Sequence, residues 1–456
     1  MGDFEPAIAE LRELLGERLS TSPSERDIHG RDESSIAPAS PDAVAFPRTT
    51  EEVAGIVGIC ARHGVPVIPF GAGSSVEGQV IATRGGVSVD TREMDEIRRI
   101  GVDDLDVTVQ AGVRRTALEK RLGPEGLFFS VDPGADASLG GMAATGASGT
   151  NTVRYGTMRE NVLDLEVVLA DGSVIHTGTR ARKSSAGYDL THLFIGSEGT
   201  LGIITELTLR VRGIPEAVSA ATCSLPSVEA AVATAIATVQ AGIPIARCEL
   251  LDASMMRAVN EHSELSHPES PTLFLEFHGT PAGVEEDARG VAEIAREHGG
   301  SDFAWASETA DRNRLWRARH NAYFAGLALR PGCRALTTDV CVPVSELAAS
   351  IDETLSDVAG LPFPAPLLGH VADGNFHMML LLDPDSTEER RVAEEVYDRL
   401  VARAIAAGGT CTGEHGVGLG KQRALADQAG PALAVMRSVK HALDPDGLFN
   451  PGKVLS

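Results

Sequence analysis

Basic residues are scarce beside acidic ones in this sequence: 40 Lys and Arg stand against 64 Asp and Glu, a formal net charge of -24. A surface that follows nucleic-acid phosphates needs clustered cations, and no Lys/Arg-rich run supplies them, so nucleic-acid binding is excluded as the main role. Aromatic residues make up 4% and apolar residues 43%, so the cores must be built from Ala, Val, Leu and Ile. No run of about 20 uncharged apolar residues is present, and the opening MGDFEPAIAELRELLGERL has no basic segment followed by an apolar one. Neither a transmembrane span nor a secretory signal is expected. The six cysteines, Cys60, Cys223, Cys248, Cys333, Cys341 and Cys411, form no CxxC pair and no iron–sulfur spacing. Reduced thiols and a cytoplasmic setting follow, and electrons from any redox cofactor must leave by another carrier.

Glycine, by contrast, is plentiful, with 48 residues in a chain of 456. That length exceeds one hydrophobic core and predicts a cofactor module and a substrate module. Residues 5–19 carry apolar positions at helical spacing and predict an amphipathic helix. From about 42 to 110, strand-like runs (VAFP, VPVIPF, GVSVD, DVTVQAG) flank a helix at TEEVAGIVGICARHG that Thr50 is placed to cap. Asp171-Gly172 marks a hairpin. Past residue 212 the texture changes to Ala-rich helices and separate strands such as PTLFLEFHG, so a boundary is expected near 215. The chain closes with a helix at ALAVMRSVKHAL and the loop DPDGLFNPGKVL.

Three small-residue tracts stand out. The first is Pro69-Phe70-Gly71-Ala72-Gly73-Ser74-Ser75-Val76-Glu77-Gly78, directly after an apolar strand. Such a run lets backbone N–H groups converge on an anion. It lacks the lysine of a P-loop and the GxGxxG helix entry of a Rossmann unit, so both of those readings are weak. The second runs through Asp132-Pro133-Gly134, then Gly140-Gly141-Met142-Ala143-Ala144-Thr145-Gly146-Ala147-Ser148-Gly149, then Arg154-Tyr155-Gly156. The third is Gly196-Ser197-Glu198-Gly199-Thr200-Leu201-Gly202-Ile203-Ile204-Thr205-Glu206. Together they suggest a long ligand contacted by backbone along its length, which a dinucleotide such as FAD fits.

The chemistry-bearing residues lie later. In Gly369-His370-Val371-Ala372-Asp373-Gly374-Asn375-Phe376-His377 the Asp-Gly pair predicts a turn between two strands, with a histidine on each. Taken with Glu414 in Cys411-Thr412-Gly413-Glu414-His415-Gly416, the two imidazoles and a carboxylate compose a plausible open site for Zn²⁺ or Mn²⁺.

The order PFGAGSSVEG, DPGADASLGGMAATGASGTNTVRYG and IGSEGTLGIITE resembles the FAD domain of the vanillyl-alcohol oxidase and p-cresol methylhydroxylase superfamily. LWRARHNAYFA, TTDVCVP, GHVADGNFH, CTGEHGVG and LDPDGLFNPGKVL are similar to the FAD-linked D-lactate dehydrogenases that reduce cytochrome c, within the D-2-hydroxyacid dehydrogenase and glycolate oxidase group. The resemblance implies an α+β fold: an N-terminal helical segment (1–37), a p-cresol-methylhydroxylase-type FAD domain (38–215), a substrate or cap domain (216–420) and a C-terminal helix and tail (421–456) that returns to the FAD domain. It implies noncovalent FAD, with the diphosphate on residues 70–75 and the flavin against residues 133–150 and 196–204, and Asn450 among the contacts. It further implies a divalent metal on His370, His377 and Glu414, His415 as the base, Arg319 as a bidentate partner of the substrate carboxylate, and Asn375 as a secondary contact. Arg334 is a candidate for a distal carboxylate.

The reaction so implied is oxidation of a small D-2-hydroxy acid such as D-lactate to the 2-oxo acid, with proton removal by His415 and hydride transfer to flavin N5. Electrons would pass to cytochrome c, a quinone or an electron-transfer protein, from a cytoplasmic enzyme, a candidate homodimer, peripheral to the inner face of a membrane. The glycolate oxidase FAD subunit, a D-2-hydroxyglutarate dehydrogenase, an alkylglycerone-phosphate-synthase-like transferase and a silent FAD scaffold are the competing readings.

Overall fold

The computed structural model describes residues 4–455, and the chain divides into two compact units. The first takes in the chain up to Gly149, Gly156–Ile214, and everything from Glu414 onward; the second takes in Thr150–Tyr155 and Pro215–Gly413.

In the first unit, strands β1 (Leu19–Ser20), β2 (Ala43–Ala45), β3 (Val67–Phe70) and β4 (Val87–Asp90) form a sheet in the order β1-β2-β4-β3. Strands β2, β4 and β3 run parallel, and β1 is antiparallel to β2. Helices Phe4–Leu15 and Thr50–His63 cover it. Ala7, Leu11 and Leu15 recur every fourth residue, and Val53, Ile56, Val57 and Cys60 follow the 3.6 period, so both helices bury one stripe against Ala43, Val67 and Val87. The second helix is capped by Thr49, whose side chain accepts from Glu52 N at 3.3 Å, and not by Thr50 as expected. Thr50 already lies in the first turn, and its hydroxyl donates to Glu166 instead.

A second sheet of the same unit contains β5 (Ile97–Gly101), β6 (Asp106–Gln110), β8 (Val162–Val168), β9 (Val174–His176) and β10 (Ile203–Arg210), all antiparallel in the order β5-β6-β10-β8-β9. The short β7 (Leu127–Phe128) and β11 (Arg212–Gly213) pair separately. Asp171 and Gly172 do form the tight connection between β8 and β9, with Gly172 at φ 81°.

The second unit is built on an antiparallel eight-stranded sheet. Its strands are β12 (Ala217–Ser224), β13 (Ile245–Leu251), β14 (Thr272–Gly279), β15 (Ser301–Ala306), β16 (Arg334–Thr337), β17 (Val340–Cys341), β18 (Leu367–His370) and β19 (Asn375–Leu382). Both faces are buried. Leu273, Leu275, Met378 and Leu380 join one core, whereas Phe274, Met379 and Leu381 join the other, the period-2 alternation of a strand covered on both sides. The predicted turn lies between β18 and β19, where Gly374 has φ 82° and Asp373 N donates to His370 O at 3.0 Å.

Candidate active site

In the first unit the glycine tracts converge on a cavity of about 380 Å³, within the roughly 300–1,000 Å³ common for ligand pockets. Its wall includes every residue from Pro69 to Ser75, then Pro133, Gly134, Gly140, Gly141, Ser148, Glu198, Gly199, Gly202, Ile203, Ile204, Glu414, His415 and Asn450. Tracts distant in sequence meet because β3 delivers the first loop, the helix Leu139–Thr145 carries the second, and β10 continues the third. Ser138 caps that helix by accepting from Gly141 N, and lines the same wall with Gln79, Thr91 and Ala111. Gln79, Thr91 and Ala111 escaped the sequence reading because they lie outside the glycine-rich runs, whereas Ser138 falls within the 133–150 stretch. Gly78, Asp132, Gly146, Gly149, Tyr155 and Gly156 do not line the cavity. Gly146 instead ends the helix in the left-handed region, and Tyr155 belongs to the second unit, where its hydroxyl meets His278 Nδ1 at 2.7 Å.

Asn450 supplies the test of whether this cavity suits FAD. Its Nδ2 donates to Gln79 O at 3.0 Å and Glu198 O at 2.8 Å, while its buried Oδ1 has no protein partner among the described residues. A buried acceptor on a ligand-sized cavity is satisfied by a ligand that brings an N–H or O–H, and both the isoalloxazine and the ribityl chain carry such donors.

The loop that bears Glu414 and His415 is fastened from within the same unit. Ser148 Oγ donates to Glu414 Oε2 at 2.9 Å, and Gln79 Nε2 holds the His415 carbonyl at 2.8 Å. Fully buried Glu198 accepts from Val417 N at 2.6 Å and Gly418 N at 2.8 Å. Gly418 is required: it has φ 48°, and a Cβ there would come within 2.1 Å of Glu77 O. Glu198 was expected to contact the cofactor. It lines the cavity and also acts as the clamp on this loop.

In the second unit, strand pairing assembles a polar cluster on one sheet face. Glu249 of β13 lies opposite His370 of β18, and Leu368 lies opposite His377 of β19, so all three polar residues share the face of Leu251 and Met379. His370 Nδ1 is 2.6 Å from Glu249 Oε1, and His377 Nδ1 is 2.9 Å from the Thr338 carbonyl. A carbonyl only accepts, so Nδ1 of His377 carries the proton; the carboxylate imposes the same tautomer on His370. In the neutral form of each ring it is then Nε2 that bears the lone pair, the form a metal ligand needs. The rings stand 5.6 Å apart at 87°.

Arg319, on the helix Thr309–His320, directs Nε at 2.9 Å and Nη2 at 2.7 Å to Glu249 Oε2. The fork expected to be open for substrate thus has one edge engaged, leaving the Nη1 side. Burial raises the Glu249 pKa, but His370 and Arg319 outweigh it, and the net direction is down. Asn375 directs Nδ2 to Asp339 Oδ1 at 2.9 Å and to Val340 O at 2.7 Å, the role of a brace. Buried Asp339 also takes Thr412 Oγ1 at 2.7 Å and Gly413 N at 3.0 Å, fixing the residues that precede Glu414 in the chain. Arg334 is exposed at the start of β16.

Residues 214–454 match the FAD linked oxidases, C-terminal domain, and residues 41–178 match the FAD binding domain. The chain belongs to the FAD-linked oxidases. Among curated relatives of this FAD-linked oxidase, a probable mitochondrial D-lactate dehydrogenase of Danio rerio is 52% identical, over 99% of this chain and 92% of the relative. A mitochondrial D-lactate dehydrogenase [cytochrome] of Arabidopsis thaliana is 45% identical, over 98% of this chain and 80% of the relative. A glycolate oxidase subunit of Bacillus subtilis is 32% identical, over 96% and 94%. The fold is shared with p-cresol methylhydroxylase, at TM-score 0.77 and 17% identity over 99% of this chain and 97% of that one. It is shared also with an alkyldihydroxyacetonephosphate synthase, at TM-score 0.75 and 20% identity over 98% and 85%. The expected α+β, two-domain FAD-binding architecture is therefore the observed one.

The clamp of this FAD-linked oxidase carries a pH signature. Burial pushes Glu198 from the ordinary 4.5 up to about 7, against the pull of the Val417 and Gly418 amides and of Lys421 and Lys453. Between pH 4.5 and 7 the folded chain then holds a proton that the unfolded chain releases, so stability falls as pH rises through that window, by on the order of 3 kcal/mol. Glu198→Gln is expected to flatten this slope in thermal melts taken across the window. An unchanged slope in the variant would contradict the assignment.

Proposed function

We propose that this FAD-linked oxidase converts D-lactate to pyruvate, using noncovalent FAD and a divalent metal, Zn²⁺ or Mn²⁺, held by His370, His377 and Glu414. The substrate reading is carried by the 52% identity that extends over nearly the whole chain to a relative named for D-lactate; the glycolate oxidase subunit is more distant at 32%. The metal reading is supported by the Nε2 lone pairs that Glu249 and Thr338 fix on the two histidines, and by Glu414 being peptide-bonded to Gly413, which Asp339 anchors.

When bound, FAD supplies the acceptor for the Cα hydrogen and its electron pair, and the metal supplies Lewis acidity that makes the substrate hydroxyl a better acid. Arg319 offers its unengaged guanidinium side to the lactate carboxylate, a charge-assisted contact that orients Cα. His415 accepts the hydroxyl proton at its imidazole, leaving the carbonyl of pyruvate. Asn375 and Asp339 hold the turn and the 410–413 segment steady.

Electrons leave for cytochrome c, a quinone or an electron-transfer protein. The setting we propose is cytoplasmic, peripheral to the inner membrane face; no described helix is long and apolar enough to cross a membrane. Pyruvate formed per dye acceptor reduced tests the reading: one-to-one formation from D-lactate and none from L-lactate is expected, and turnover of both enantiomers alike would overturn it.

A further inference from the structure

We infer that Glu249 is a positioning residue that serves two sites at once, setting the metal-ligand geometry of His370 and the carboxylate-binding geometry of Arg319. This rests on the proposed metal and substrate reading. Glu249 side-chain exposure is 1%, and its two oxygens are divided between the two partners. Oε1 takes His370 Nδ1 at 2.6 Å, and Oε2 takes Arg319 Nε at 2.9 Å and Nη2 at 2.7 Å. A ligating imidazole is oriented, and its basicity raised, by an outer carboxylate on its far nitrogen. A long guanidinium side chain that is already pinned along one edge loses less freedom on taking a second anion at the other. The neighbours Cys248 and Leu250 face the opposite core, so the effect belongs to this one side chain.

The discriminating variant is Glu249→Gln. An amide has one acceptor oxygen and one NH2, so either His370 or Arg319 must face a donor. On the flavin-loaded enzyme, the metal dissociation constant is expected to rise 10- to 100-fold by competition with a chelator. The KM for D-lactate is expected to rise about tenfold or more at saturating metal, with a smaller fall in kcat. Flavin content should be unchanged. Arg319→Lys should raise KM and spare metal affinity. Leu250→Val, on the other face, should lower the melting temperature and move neither constant. If Glu249→Gln does not accumulate, Glu249→Asp, which draws the charge back by one methylene, is measured for the same two constants.

A folded Glu249 variant whose metal affinity and KM both stay within twofold of wild type overturns the inference. A wild-type enzyme that carries no stoichiometric metal, and whose KM is indifferent to Arg319→Lys, overturns the underlying functional reading instead.

Discussion

His415→Ala is expected to lower kcat on D-lactate by about 10²- to 10⁴-fold, the usual worth of a positioned general base. The flavin should remain bound, because a contact that fastens this residue in the cavity wall, its carbonyl held by Gln79 Nε2 at 2.8 Å, survives the change. The variant should also lose the limb of the pH–rate profile that reports the base. Rapid-mixing measurement of flavin reduction across pH checks both effects. A variant that reduces its flavin within threefold of the wild-type rate would remove His415 from the chemistry.

His370→Ala is expected to abolish stoichiometric metal while the protein stays yellow. The two histidines proposed as metal ligands and Glu249 lie in the second unit, whereas the residues that wall the cavity proposed for FAD lie in the first. Losing a Lewis acid worth several kcal/mol should slow turnover roughly a thousandfold. The fold should persist, since Glu249 keeps its ion pair with Arg319 at 2.7 Å after the imidazole is gone. Elemental analysis against flavin absorbance separates the outcomes. Full turnover after chelation in this variant would make the metal assignment wrong.

What could be read in the sequence was local. A backbone-binding loop announces itself by successive small residues, so the three glycine tracts were legible, and the Asp373-Gly374 turn brought His370 and His377 together because a hairpin pairs neighbours. Glu249 was not legible. It precedes His370 by 121 residues, and only the pairing of β13 with β18 brings them together. Its one trace is a carboxylate inside the apolar strand IARCELL. Asp339 was hidden for the same reason, since its partners Thr412 and Gly413 lie more than 70 residues on. The shift from Thr50 to Thr49 at the helix cap reflects two adjacent threonines, either of which can cap; the register was decided by Glu166, which claims Thr50 from another strand. The segment 150–155, which reads as part of a flavin loop, goes with the second unit because Arg154 bonds the Pro244 and His278 carbonyls there.

The most direct test of the central claim is anaerobic bleaching of the oxidised flavin's visible band on adding D-lactate, L-lactate, glycolate and D-2-hydroxyglutarate separately. Rapid bleaching by D-lactate, with its enantiomer inert and the other two acids slower, is the result the proposed function predicts. A bound flavin that none of these acids reduces would contradict it.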